Sequence, residues 1–233
     1  MVSSVKWLVL VVCTIAHCFL HHAMLEGSLQ SADAFAMMHV FVSSDVLKSI
    51  EQLVLFVFPV MFLTLVTVDG VSRLHDNRLL VMTRLPSKTR YALEEQRILF
   101  KDAMIVVVVN AIATFAFCMI GREPSMSWLA LAVVVRNLIA VVMFGEVYCF
   151  VMKAMGPSGA MVVMFATILV TAVACLVEAL MSFKAGIGIW TAVLRMDDLV
   201  LFYPVILAGN FFLACAMAGI EMIWTIRKEF YDD

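Results

Sequence analysis

Apolar residues run along this chain in solid blocks, separated by short polar punctuation. The blocks cover residues 7–25, 52–68, 103–120, 126–152, 160–183 and 199–226. Each has the length that a helix needs to cross a bilayer, about 20 residues. None shows the strict alternation of a barrel strand. The pattern predicts six transmembrane helices. Pro59 marks a bend in the second, and GREPS at 121–125 and KAMGPSG at 153–159 make tight turns. An acidic segment over 26–51, a segment over 184–198 and the tail RKEFYDD complete the chain.

Composition agrees. The 233 residues are 64% hydrophobic and only 15% charged, with a mean hydropathy of +1.03. Soluble domains average about 45–50% apolar and 25% charged. This surplus calls for lipid as solvent, so the expected fold is all-α, a single polytopic membrane domain over 1–233. The apolar start resembles a signal peptide but carries no small-x-small cleavage pattern, so it is read as a retained first span. All six cysteines fall inside apolar blocks without CxxC spacing, as small core residues do.

Charge sets the orientation. Segment 69–102 carries seven of the sixteen Lys and Arg: Arg73, Arg78, Arg84, Lys88, Arg90, Arg97 and Lys101. Lys6, Lys153, Arg227 and Lys228 fall on the same side, and Lys48, Arg122, Lys184 and Arg195 on the other. Positive residues concentrate on the cytoplasmic side. Both termini and 69–102 are therefore expected inside, in a cell membrane of bacterial cytoplasmic type. Trp7, Trp224, Trp128 and Trp190 fall at span ends, where amphipathic rings prefer to lie.

Within the basic segment, Asp76 or Asn77 begins and Pro86 ends a short amphipathic helix over 76–85. Leu79, Met82 and Leu85 line one side, flanked by Arg78 and Arg84. Ser87 or Thr89 caps a second helix, KTRYALEEQRILFKD, in which Glu94 is spaced to pair with Arg90 and Arg97. That helix is expected to lie along the inner surface and turn into the third span. Resting on anionic headgroups accounts for the basic charge, though not for two short helices divided by a proline.

The run RLLVMTRLPSKTRYALEEQRILFKDA resembles the loop between spans two and three of type-two ATP-binding-cassette exporter permeases. The number of spans, the inner termini and the chain length are similar too. The resemblance implies that 78–85 couples to a dimeric cytoplasmic ATPase through Arg78, Leu79, Met82, Arg84 and Leu85. It implies a second permease copy or a sister permease, and ATP and Mg held on the ATPase. It also implies that 184–203 folds back into the outer leaflet. The sequence carries no GxxxxGK[ST] of its own, nor HExxH, GxSxG or DxD. No catalytic residue, resident cofactor or nucleic-acid partner is expected. The expected cargo is amphipathic or hydrophobic: a peptide, lipid or drug, including antimicrobial-peptide export or immunity.

Charges inside the spans come next. A charge at a helix centre costs about 2.5–3.5 kcal/mol on insertion scales, so Arg136 should face protein. Glu178 lies at similar depth on the following span and is its expected partner, the two forming either a structural ion pair or part of a substrate pathway. Glu146 and Glu221 lie six or seven residues from inner ends. They either line a vestibule or pair with Lys153 or Arg227. Asn110, Asn137 and Asn210 suit hydrogen bonds between helices. His17, His21 and His22 cluster on the first span near several methionines. Such ligands suit Cu(I), and paired histidines suit haem, but none of the later spans offers an opposing histidine, so no metal is expected. Two alternatives stand beside the exporter: the substrate-binding membrane subunit of an uptake system, and a redox or metal-handling protein built on those histidines.

Overall fold

The structure, a computed structural model, describes residues 2–24, 46–77, 87–119, 128–181 and 199–227. Every element among the described residues is an α-helix: α1 (Val2–Met24), α2 (Val46–Asp76), α3 (Lys88–Cys118), α4 (Trp128–Met181) and α5 (Leu199–Arg227). Three stretches are long and apolar enough to cross a membrane: Lys88–Cys118, Val133–Val173 and Leu207–Arg227. Lys6–Leu20 is a shorter apolar helix.

The outer surface suits lipid as solvent. Phe212 is 70% exposed and Val162 and Val170 are each 68% exposed, while Glu95, Glu146, Glu221 and Arg136 are at most 2% exposed. Water would reverse that arrangement, since exposed apolar area is unfavourable there and buried charge is costly.

α3 is the hub and packs on each of the other four helices. It runs without a break through Asp102 and Ala103, which corrects the expectation of a surface helix that turns into a span. Its buried residues explain the continuity. Tyr91, Glu95, Leu99, Ala103 and Val107 recur every fourth position, and Asn110 and Thr114 extend the stripe. One helix face thus packs against the bundle from end to end, with neither Gly nor Pro to interrupt it. At 1.5 Å per residue its 31 residues span about 46 Å, against roughly 30 Å of hydrocarbon. One end of α3 must extend beyond the apolar layer, and the polar end is Lys88–Asp102.

Ser87 starts this helix. Its backbone is extended, and its Oγ accepts from Arg90 N at 3.3 Å, satisfying one of the free donors of the first turn. Glu94 and Arg97 pair at 3.4 Å, as the spacing predicts. At the other side of the linker, 69–76 is no loop but the last two turns of α2.

α4 is two helical arms divided at Gly156, which has φ 75° and ψ 174°. A positive φ favours glycine, and an extended ψ is what the following Pro157 imposes on its neighbour. KAMGPSG therefore breaks the helix where a turn was expected. A row of buried residues at every fourth position lines both arms, Ala140, Phe144, Tyr148 and Met152 on one and Ala160, Met164, Ile168 and Ala172 on the other. All belong to one core with Val57, Val60, Val68 and Val71 of α2. A second core joins Leu10 of α1, Leu63 and Val66 of α2, Ala103, Val106 and Val107 of α3, and Val141 of α4.

Candidate functional site: a buried ionic cluster between three helices

The strongest concentration of polar chemistry among the described residues lies where α3, α4 and α5 meet. Lys153 of α4 is its centre. Its Nζ lies 2.7 Å from Glu95 Oε2 of α3 and contacts Glu221 Oε1 of α5, and the three side chains are at most 1% exposed. It also donates to Thr225 Oγ1. Thr225 stands one turn beyond Glu221, with Oγ1 2.7 Å from Glu221 Oε1 and 2.9 Å from its carbonyl oxygen. Gln96 of α3 closes the ring. Its Nε2 donates to Glu146 Oε2 of α4 and to Glu221 Oε2, each at 2.9 Å.

Local structure explains these positions. Glu95 occupies the inward row of α3, one turn from Tyr91 and Leu99. Close approach of α3 and α4 is secured by Gly145, where an added Cβ would sit 2.6 Å from Leu99 Cδ1. The next residue, Glu146, therefore reaches Gln96. Such a network in low dielectric is worth keeping only when its members are mutually satisfied. Here three carboxyls face one ammonium, and Glu95 Oε1 and Glu146 Oε1 are buried with no hydrogen-bond partner.

Glu146 and Glu221 are thus brought together, as part of a network rather than lining an open vestibule. The pairing of Glu221 with Lys153 was among the alternatives open in the sequence. Glu95, Gln96 and Thr225 were not singled out there. The available signal was the four-residue row that joins Glu95 to Leu99 and Ala103.

Arg136 is buried as expected at 2% exposed, and its Nε and Nη2 donate to Asn137 Oδ1 at 3.2 and 2.8 Å. The side chain of Glu178 lies outside the described residues, as do Arg78, Leu79, Met82, Arg84, Leu85 and the side chains of His21 and His22. His17 is buried on α1 at 4% exposed. Beside it, Asn110 Nδ2 of α3 donates to Thr14 Oγ1 at 3.1 Å, a bond between helices. Among the described residues no three His, Cys, Asp or Glu are placed to hold a metal ion, and Cys13, Cys18, Cys149 and Cys215 form no disulfide.

A second, partly exposed ionic group joins the first three helices. Asp69 Oδ2 of α2 lies 3.3 Å from Lys6 Nζ of α1 and 2.9 Å from Arg73 Nη2, and Lys6 is 4.0 Å from Asp102 Oδ2 of α3. Asp102 is two turns along α3 from Glu95, so the buried cluster lies at the linker end of the bundle, not at mid-depth. Comparison with protein-family models, curated proteins and solved structures finds no match for this chain.

Proposed function

We propose that the chain is the membrane-spanning permease subunit of an ATP-driven exporter, with six spans and both termini in the cytoplasm. ATP hydrolysis takes place on a separate dimeric ATPase. That partner contacts Arg78, Leu79, Met82, Arg84 and Leu85 in the linker between α2 and α3. A second permease copy or a sister permease completes the pathway, and the cargo is an amphipathic or hydrophobic molecule.

One observation carries this reading. α3 runs unbroken from its Ser87 cap beside the linker to Glu95, which is ion-paired through Lys153 to Glu221 on α5. Force applied at the linker travels along a rigid rod and reaches α4 and α5 within two helical turns. The basic linker supplies the docking end, and the buried cluster supplies the grip on the spans.

Co-purification tests it. A helix seated in a groove draws most of its affinity from a few buried anchors. Met82→Glu puts a charge into that contact, while glutamate preserves the helix. The variant should insert normally and lose the ATPase on gentle purification. Arg84→Ala should cost less, because rim charges contribute little. An ATPase retained at native stoichiometry by Met82→Glu, Leu79→Glu and the double variant removes this helix as the coupling element. Absence of any ATPase from the native complex removes the exporter reading.

A further inference from the structure

The cluster between α3, α4 and α5 holds more acid than base. Glu95, Glu146 and Glu221 are each at most 1% exposed. Glu95 and Glu221 share Lys153. Glu146 is placed differently. Its one hydrogen bond is to the neutral amide of Gln96, through Oε2. Its other oxygen, Oε1, is buried without a hydrogen-bond partner.

The surrounding groups leave little else to neutralise it. From α3 come Glu95 and Gln96, and from α5 comes Glu221. On α4 itself are Lys153, whose charge also reaches Glu146 but which is in contact with Glu95 and Glu221, and the buried thiol of Cys149. α2 reaches this level through Ser72, which is hydrogen-bonded to Tyr148 and uncharged. Glu146 and Glu95 are near enough to feel each other's charge. An ionised Glu146 would be a third buried anion around one cation, and an uncompensated buried charge costs several kcal/mol. A metal ion finds no set of three donors here. A proton needs no cavity. It removes the charge, and a neutral carboxyl costs less to bury than a carboxylate.

We propose that this cluster is a proton-binding site, with Glu146 as the group that carries the proton. The proton is held between α3, α4 and α5 where they pack together. The inference stands on the cluster alone and does not depend on the exporter reading.

Infrared spectroscopy of the full chain in lipid nanodiscs reads the proton directly. A protonated carboxyl gives a carbonyl stretch above the amide band that shifts in heavy water. The native protein should show it at neutral pH, Asp102→Asn should keep it, and Glu146→Gln should lose it. Glu146→Gln should also melt with the native protein at neutral pH, because an amide has the shape and charge of the protonated acid. A native spectrum without the band overturns the proposal. So does a band that survives Glu146→Gln, and so does failure of Glu146→Gln to fold, which would mean that the negative charge is needed.

Discussion

Lys153 Nζ on α4 lies 2.7 Å from Glu95 Oε2 on α3, and both side chains are 1% exposed. The same ammonium holds Glu221 on α5. One side chain therefore joins three helices, and its loss should be felt in all of them.

Lys153→Met leaves Glu95 and Glu221 buried without their cation. Breaking a buried pair from one side costs about 3–5 kcal/mol, so the variant should melt far below the native protein in detergent. Lys153→Met with Glu95→Gln should recover part of the loss, since one stranded charge is gone. A single variant that melts with the native protein would show that the ion pairs do not hold the bundle.

Ser72 Oγ and Tyr148 Oη lie 2.6 Å apart and tie α2 to α4. Ser72 also reaches the Val68 carbonyl at 3.0 Å, so it keeps a partner when Tyr148 loses its hydroxyl. Tyr148→Phe should cost about 1 kcal/mol. Adding Ser72→Ala should cost little more, and a double-mutant cycle on melting free energies reads the coupling. Additive losses would mean that the hydroxyls do not interact.

Gly156 has open space around it, with nothing within 4 Å of an added Cβ. Any penalty for a side chain there comes from its φ of 75°. Gly156→Val should lose about 1–3 kcal/mol, the cost of holding an ordinary residue at positive φ with an extended ψ, a region that is essentially glycine's own. Gly156→Asn should lose about as much, because asparagine tolerates positive φ only in the left-handed helical region, with ψ near +45°, and Gly156 has ψ 174°. Equal stability of all three proteins would place the break elsewhere.

Much of this was readable from local rules. Ser87 caps α3 because a hydroxyl stands just before a helix-forming run. Gly156 breaks α4 because glycine precedes proline. Arg136 is buried because a charge in an apolar run has no favourable place in lipid. Glu95 was harder. It stands in EEQR on a strongly polar helix, where neighbouring Glu94 is 38% exposed and paired with Arg97. Which of two adjacent glutamates turns inward is decided by packing on α4 and α5, and composition does not carry that. The four-residue row from Tyr91 to Val107 did carry it. It was hidden because a span boundary drawn at Ala103 cut the row in two.

The length of chain between cluster partners has a consequence for biogenesis. Gln96 and Glu221 are separated by 125 positions. At synthesis rates of about 5–20 residues per second, the delay between them is roughly 6–25 s. During that interval α3 is made but α5 is not, and the polar face around Glu95 has no complete set of partners. Its place on the polar part of α3, among Lys88, Arg90, Arg97 and Lys101, keeps that face apart from the apolar part of the helix until α5 is made. The nascent chain is thus spared from holding a half-built ionic network in the middle of the hydrocarbon.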